Sequence, residues 1–347
     1  MRKLICRVQL YRNNVEYRTR NLSSAVLIWC IALLLSGCSS MPGTDGMASP
    51  DSVGNTKDLI VVGISQVGSE SDWRLANTRS YRETLTEANG YYPLFEDAQQ
   101  KQENQVKAVR NFILQEVDYI VLDPIVETGW DAVLTEAKEA GIPVILSDRS
   151  IQVEDEELYT CWIGSDFKEE GKSAGRWLQD YLKKENRDEE EIHIVTLQGT
   201  LGSTAQLGRT KGFAQILKEQ DNWVMLEQQS GEFVQAKGKE VMEYFLKSYP
   251  DIDVVVCEND NMAFGAIDAM KEAHRSFGKN GEIIVLSFDA TDAALEAVKR
   301  GEINADFECN PLLGPLVDET IKKLEAGQAV EKIQYVKETY YDETTIK

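Results

Sequence analysis

The chain alternates near-continuous apolar runs with amphipathic stretches of helical length, and this alternation restricts its fold more than any other feature. The runs fall at 59–64, 119–122, 143–146, 159–163, 192–197, 252–257 and 283–288. A strand with one wet face alternates apolar and polar residues, whereas a run that is apolar throughout suits a strand buried on both faces. Between the runs lie helical patterns at 73–88, 102–115, 130–140, 170–184, 204–219, 234–248, 261–273, 292–300 and 312–326. Repeated βα units of this length imply a parallel, doubly wound sheet with helices on both faces. Gly141-Ile-Pro143 shows the punctuation: a glycine able to take positive φ ends a helix and the next strand begins. About nine strands exceed one doubly wound domain, so two α/β lobes are expected.

The first 37 residues stand apart. Arg2, Lys3, Arg7, Arg12, Arg18 and Arg20 precede the apolar segment 25–35, which is short for a membrane span and has the layout of a secretory signal. It ends in Leu35-Ser-Gly-Cys38, which resembles the lipobox of bacterial lipoproteins, where the cysteine is acylated and becomes the mature N-terminus. Residues 38–56 are rich in Ser, Gly, Pro and Asp without periodicity, as a flexible tether should be. Without residues 1–37 the chain loses six of 37 basic and one of 58 acidic residues, leaving 31 against 57 and a formal charge of −26. Such a surface repels phosphate backbones and anionic lipid heads, so no nucleic acid partner is expected, and membrane attachment is expected through the acyl chain on Cys38 alone.

Little in the chain supports catalysis. His193 and His274 are the only histidines, and no CxxC or histidine cluster points to a metal. There is no nucleophile elbow and no glycine-rich phosphate loop in strand–turn–helix context. Cys161, Cys257 and Cys309 sit in or just after apolar runs, where buried free thiols are expected instead of a disulfide framework. No catalytic residue, cofactor or metal is assigned, and the chain is not read as an enzyme.

Polar residues recur just beyond the strand ends. The stretch Ser65-Gln-Val-Gly-Ser-Glu-Ser-Asp-Trp-Arg74 reads as the end of a strand, a loop and a helix start with Asp72 as its N-cap, which brings Glu70, Trp73 and Arg74 to one helix mouth. An aromatic face, a guanidinium and a carboxylate there form a candidate sugar clamp, because open α/β sheets bind ligands beyond the carboxyl ends of their strands. Further polar positions follow at 97–100, Asp123, Asp148, Arg149, Arg209, Phe233, Asn259, Asp260, Asp289 and Glu308. A series of this kind suggests one shared cleft.

The ordered segments Ser65–Arg74, 99–105, Ser147-Asp-Arg-Ser150, Leu197-Gln-Gly-Thr200, 229–233, Glu258-Asn-Asp-Asn261, Ser287-Phe-Asp289 and 308–315 resemble those of type I periplasmic sugar-binding proteins. Within that family they are most similar to the galactofuranose-binding members that serve ABC importers. The resemblance runs from about residue 57 to near the C-terminus.

It implies two doubly wound lobes joined by a three-crossing hinge, with 57–164 plus 309–336 in the N-terminal lobe and 165–308 plus 337–347 in the C-terminal lobe. It implies a ligand set of Trp73, Arg74, Asp148, Arg149, Arg209, Phe233, Asn259 and Asp289, with Glu70 and Glu308 from the narrower subgroup. Rings would cover the apolar faces of a monosaccharide while charged groups bond its hydroxyl rim. The expected protein is a monomeric, lipid-anchored, extracytoplasmic binder that hands its sugar to an ABC permease and its ATPase. A sensor signalling to a membrane histidine kinase or chemoreceptor is the alternative. One departure weakens a ribose assignment: ribose-binding relatives carry a hinge glutamine where this chain has Cys309.

Overall fold

A computed structural model describes residues 59–346; the leader, Cys38 and the tether lie outside the described residues. In chain order the elements are β1 (Ile60–Gln66), α1 (Asp72–Thr84), β2 (Tyr91–Asp97), α2 (Gln102–Leu114), β3 (Tyr119–Leu122), α3 (Asp131–Glu139), β4 (Val144–Asp148) and β5 (Cys161–Gly164). They continue with α4 (Phe167–Lys184), β6 (Ile192–Gln198), α5 (Thr204–Leu217), β7 (Trp223–Ser230), α6 (Gln235–Ser248), β8 (Val254–Cys257), α7 (Asp260–Glu272), β9 (Ile284–Asp289), α8 (Asp292–Lys299) and β10 (Ala305–Glu308). The chain closes with α9 (Gly314–Glu325), β11 (Ile333–Tyr335) and β12 (Tyr340–Asp342).

The strands form two six-stranded sheets, ordered β11-β5-β4-β3-β1-β2 and β12-β10-β9-β8-β6-β7. All neighbours are parallel except β12, which runs antiparallel to β10. The continuous apolar runs explain this arrangement. Every residue of β3, β4, β5, β8 and β9 is buried, as central parallel strands require. In each sheet the order reverses about the first strand of its lobe, β1 or β6, and the crevice at such a switch point is where doubly wound sheets bind ligands.

The chain passes between the sheets three times. It leaves the first after β5, comes back to it after β10, and crosses again between β11 and β12. The return after β10 is secured by α9 lying close on α1: Gly314 N–H donates to Ser80 Oγ at 3.0 Å, and a Cβ on Gly314 would stand 2.4 Å from the Ser80 carbonyl oxygen.

The capping assignment at the first helix needs correction. Ser71, not Asp72, is the N-cap, with Oγ accepting from Arg74 N–H at 3.1 Å, and Asp72 is the first helical residue. A serine hydroxyl reaches the N–H three residues on, which frees the Asp72 carboxylate for a partner outside the helix. That partner lies in the other lobe. Asn261 Nδ2 donates to Asp72 Oδ2 at 3.3 Å and Asn261 Oδ1 accepts from Asp72 N–H at 3.0 Å.

Candidate functional site

The first lobe presents its charged groups from the ends of β1, β3 and β4. The start of α1 carries Arg74 into the carboxyl ends of these strands, where it is 1% exposed. Its Nε donates to Glu70 Oε1 at 3.0 Å, Nη1 to Gln66 Oε1 at 3.0 Å and Nη2 to Asp148 Oδ2 at 2.5 Å, while Asp123 Oδ2 stands 3.7 Å from Nη1. Burial works against the guanidinium's charge, but Asp148, Glu70 and Asp123 more than offset it and hold its pKa above the ordinary arginine value. Asp123 responds the other way. Burial pushes its carboxyl up to about 7, against the pull of Arg74.

Asp148 ends β4 with φ 62°, a left-handed turn that Asp tolerates better than most residues and that directs the chain into Arg149. Arg149 is also buried. Its Nη1 donates to the Ile125 carbonyl at 3.1 Å, Glu70 Oε1 lies 4.0 Å from Nη2, and burial together with Arg74 lowers its pKa. Its Nε and the Glu70 Oε2 are buried without a hydrogen-bond partner. Asp148 Oδ2 stands 3.7 Å from that Nε, beyond hydrogen-bond reach, and a buried donor and a buried acceptor without hydrogen bonds in one cavity wall suit a ligand that both gives and receives them.

The second lobe answers with Arg209 on α5. Its Nε donates to Glu170 Oε2 at 2.7 Å, Nη2 to Asp289 Oδ1 at 3.2 Å and Nη1 to the Glu258 carbonyl, and its guanidinium lies over the rings of Phe288 and Phe167 at 4.9 and 5.5 Å. Asn259 caps α7, accepting from Met262 N–H at 2.9 Å, and holds the Phe233 carbonyl with Nδ2 at 3.1 Å. That bond fixes Phe233, at φ 64°, with its ring against Gly199. Gly199 is needed there, because a Cβ would fall 1.9 Å from the ring.

The lobes meet over these groups. Arg149 of the first lobe lies over the Phe233 ring of the second at 5.2 Å. Glu127 N–H donates to the Gly202 carbonyl at 2.9 Å and Ser150 N–H to Thr204 Oγ1 at 3.0 Å. Between the lobes a cavity of about 20 Å³ is lined by Glu70, Trp73, Arg74, Asp148, Arg149, Arg209, Phe233, Asn259 and Asp289, that is, by the whole ligand set implied by the resemblance except Glu308; positions 97–100, Asp123 and Asp260 do not line it. Glu308 is turned to the hinge, where its Oε2 accepts from Thr339 N–H at 3.1 Å.

The cavity wall also includes Ser71, Phe167, Ala205 and Cys309, which the sequence reading did not assign to the ligand. Cys309 contributes its carbonyl, which receives the Trp73 indole N–H at 2.6 Å and so fixes the ring at the hinge side. Cys161, Cys257 and Cys309 are free and buried. Among the described residues no helix is long and apolar enough to cross a membrane.

Comparison with known proteins places the chain among related molecules. A family model described as a periplasmic binding protein domain matches residues 62–308. The chain is 41% identical over 324 residues to the galactofuranose-binding protein of Escherichia coli K12, covering 92% of this chain and 96% of that one. A solved structure from Mycobacterium smegmatis in complex with β-D-fucofuranose shares 41% identity with a TM-score of 0.79, covering 83% of this chain and 92% of that chain. The periplasmic binding component of the arabinose ABC transporter from Shewanella sp. ANA-3, bound to α- and β-L-arabinofuranose, shares 42% identity with a TM-score of 0.77, over 82% and 93%.

Proposed function

The chain belongs to the periplasmic binding protein family and is a sugar-binding protein of the ABC-transporter type; on that premise we propose that its interlobe cleft captures a furanose, galactofuranose foremost, for import. Its relatives are sugar-binding proteins, not enzymes. The observation that carries the reading is that Glu70 Oε2 and Arg149 Nε are buried without hydrogen-bond partners in a cavity wall that also holds Trp73 and Phe233. Ring hydroxyls would satisfy both polar atoms, and the aromatic rings would cover the C–H faces of the sugar. The furanose assignment is supported by the relatives, which include proteins described as galactofuranose-binding or bound to fucofuranose or arabinofuranose.

A cavity of about 20 Å³ holds roughly one water molecule, so the lobes part to admit a monosaccharide and the lining side chains spread to seat it when the lobes close again. Asp72–Asn261, Glu127–Gly202 and Ser150–Thr204 then act as latches that close with the ligand. The closed surface is the form that an ABC permease would read, with acylated Cys38 and the tether 38–56 keeping the lobes within reach of the membrane. Import is favoured over sensing by the Shewanella relative, which is a transporter component.

Calorimetric titration tests this reading, using protein unfolded and refolded to remove carried-over sugar. Galactofuranose, galactose, ribose, arabinose and fructose form the panel. One-to-one binding of the galactofuranose form near micromolar, about −8 kcal/mol, is expected. Arg149→Ala should weaken it at least about 100-fold, the effect of stranding buried polar partners. Absence of heat with every sugar from folded protein would overturn the assignment.

A further inference from the structure

The hinge carries two carboxylates and a thiol that the proposed sugar contacts leave unassigned, although Cys309 also lines the cleft and Glu170 holds Arg209. Glu170 follows the first crossing on α4, Cys309 lies on the second and Glu338 on the third, and one ligand atom from each lies within 4.8 Å of the other two. Ser165 ties the group together, donating from Oγ to Glu338 Oε1 at 2.6 Å and standing 3.3 Å from Cys309 Sγ. Asn310 N–H also donates to Glu338 Oε1, at 2.9 Å. Glu170 is 7% exposed; Arg209 engages only its Oε2, and its Oε1 is buried without any partner. Two carboxylates and a thiol therefore converge on one buried point with an acceptor oxygen left over.

We propose that this cluster binds a borderline-soft divalent cation of the Zn²⁺ class through Glu170 Oε1, Cys309 Sγ and a Glu338 carboxylate oxygen. Thiolate is a poor ligand for Ca²⁺ or Mg²⁺ and a good one for Zn²⁺, Co²⁺ or Cd²⁺. Donor atoms around one Zn²⁺ lie about 3–4 Å apart, so the observed spread requires only side-chain adjustment. The cation displaces the thiol proton, balances the excess of anionic groups beside the single guanidinium of Arg209, and joins all three crossings at one point. It would thereby fix the hinge angle at which the lobes close.

Anaerobic titration of the purified full chain with Co²⁺ tests it, because Co²⁺–thiolate bonding gives a near-ultraviolet charge-transfer band that carboxylates alone do not. One equivalent should produce the band, Cys309→Ser should abolish it, and Glu338→Gln and Glu170→Gln should each weaken Co²⁺ binding at least tenfold. Folding of each variant is checked by circular dichroism, with Cys309→Ala used if Cys309→Ser does not fold. The proposal is overturned by absence of the band at millimolar Co²⁺, which would mean that protons alone keep the cluster neutral. It is overturned equally by a band that persists without the Cys309 thiol, or by unchanged Co²⁺ affinity in both folded glutamine variants.

Discussion

Arg74→Ala is expected to lower stability by about 3–5 kcal/mol and to abolish sugar binding. Removing one member of a buried ionic network leaves the others charged without compensation, and that cost exceeds the net worth of the pairs themselves. Here the groups that lose their partner are Glu70, Asp148 and Asp123 at the ends of β1, β3 and β4, and Arg149, 4.0 Å from Glu70 and 3.7 Å from Asp148, is too distant to hydrogen-bond to either. Urea denaturation at fixed pH checks the magnitude through the shift in midpoint. The penalty should shrink as pH falls from 8 to 5, since Asp123, with a pKa near 7 even beside Arg74, takes up a proton and relieves the uncompensated charge. Arg74→Lys should recover only part of the loss, because an ammonium cannot bond Glu70, Gln66 and Asp148 in one plane. A variant within 1 kcal/mol of the parent at pH 8 would contradict this account of the network.

Gly171→Ala is the second large effect, and it acts through the backbone. α4 and α5 lie so close that a Cβ on Gly171 would fall 2.2 Å from the Arg209 carbonyl oxygen, while one on Gly212 would fall 2.1 Å from that of Lys168. Alanine raises helix propensity by about 1 kcal/mol over glycine, but no rotamer relieves a clash between Cβ and main chain. The helices must separate, so a net loss of about 2–3 kcal/mol is expected by denaturation. Because the displaced carbonyl belongs to Arg209, the Glu170 and Asp289 contacts shift with it, and sugar affinity should fall at least about tenfold, read by calorimetry. Gly175→Ala meets a side chain, that of Ile216, and should cost less. Equal stability of Gly171→Ala and the parent would contradict the close packing of α4 on α5.

The central strands were legible in the sequence because burial on both faces leaves no polar residue to interrupt them, as in Tyr119–Leu122 and Val254–Cys257. β2, β7 and β11 were not, because sheet edges are partly exposed: β2 contains Pro93 and ends in exposed Glu96 and Asp97. The short β10 and β12, at the other end of the second sheet, offered too few residues for a pattern. Asp148, Arg149, Asn259 and Asp289 stood out because a polar group directly after an apolar run is conspicuous, whereas Arg209 inside a helix and the apolar Phe233 were assigned to the ligand by the family resemblance. Phe167 and Ala205 did not stand out, since apolar residues in the first turn of a helix look like core. Glu308 follows the same sequence pattern as Asp289, yet it faces Thr339 at the hinge, a difference of side-chain direction that the pattern does not encode. Glu170, Cys309 and Glu338 are too far apart in sequence to form a spacing motif; the three crossings bring them together.

The most direct test of a ligand held between lobes that must part is a covalent staple across the Asp72–Asn261 latch. The two residues already touch, with Asp72 N 3.0 Å from Asn261 Oδ1 and the two side chains 3.3 Å apart, so the paired substitution Asp72→Cys and Asn261→Cys brings two thiols face to face across the closed latch. Bridge formation is confirmed by thiol counting, and galactofuranose is added before or after oxidation. Protein oxidised first should take up no sugar, protein loaded first should retain it through dialysis, and reduction should restore exchange in both. Uptake by the oxidised form at the rate of the reduced form would contradict the account and place the ligand outside the cleft.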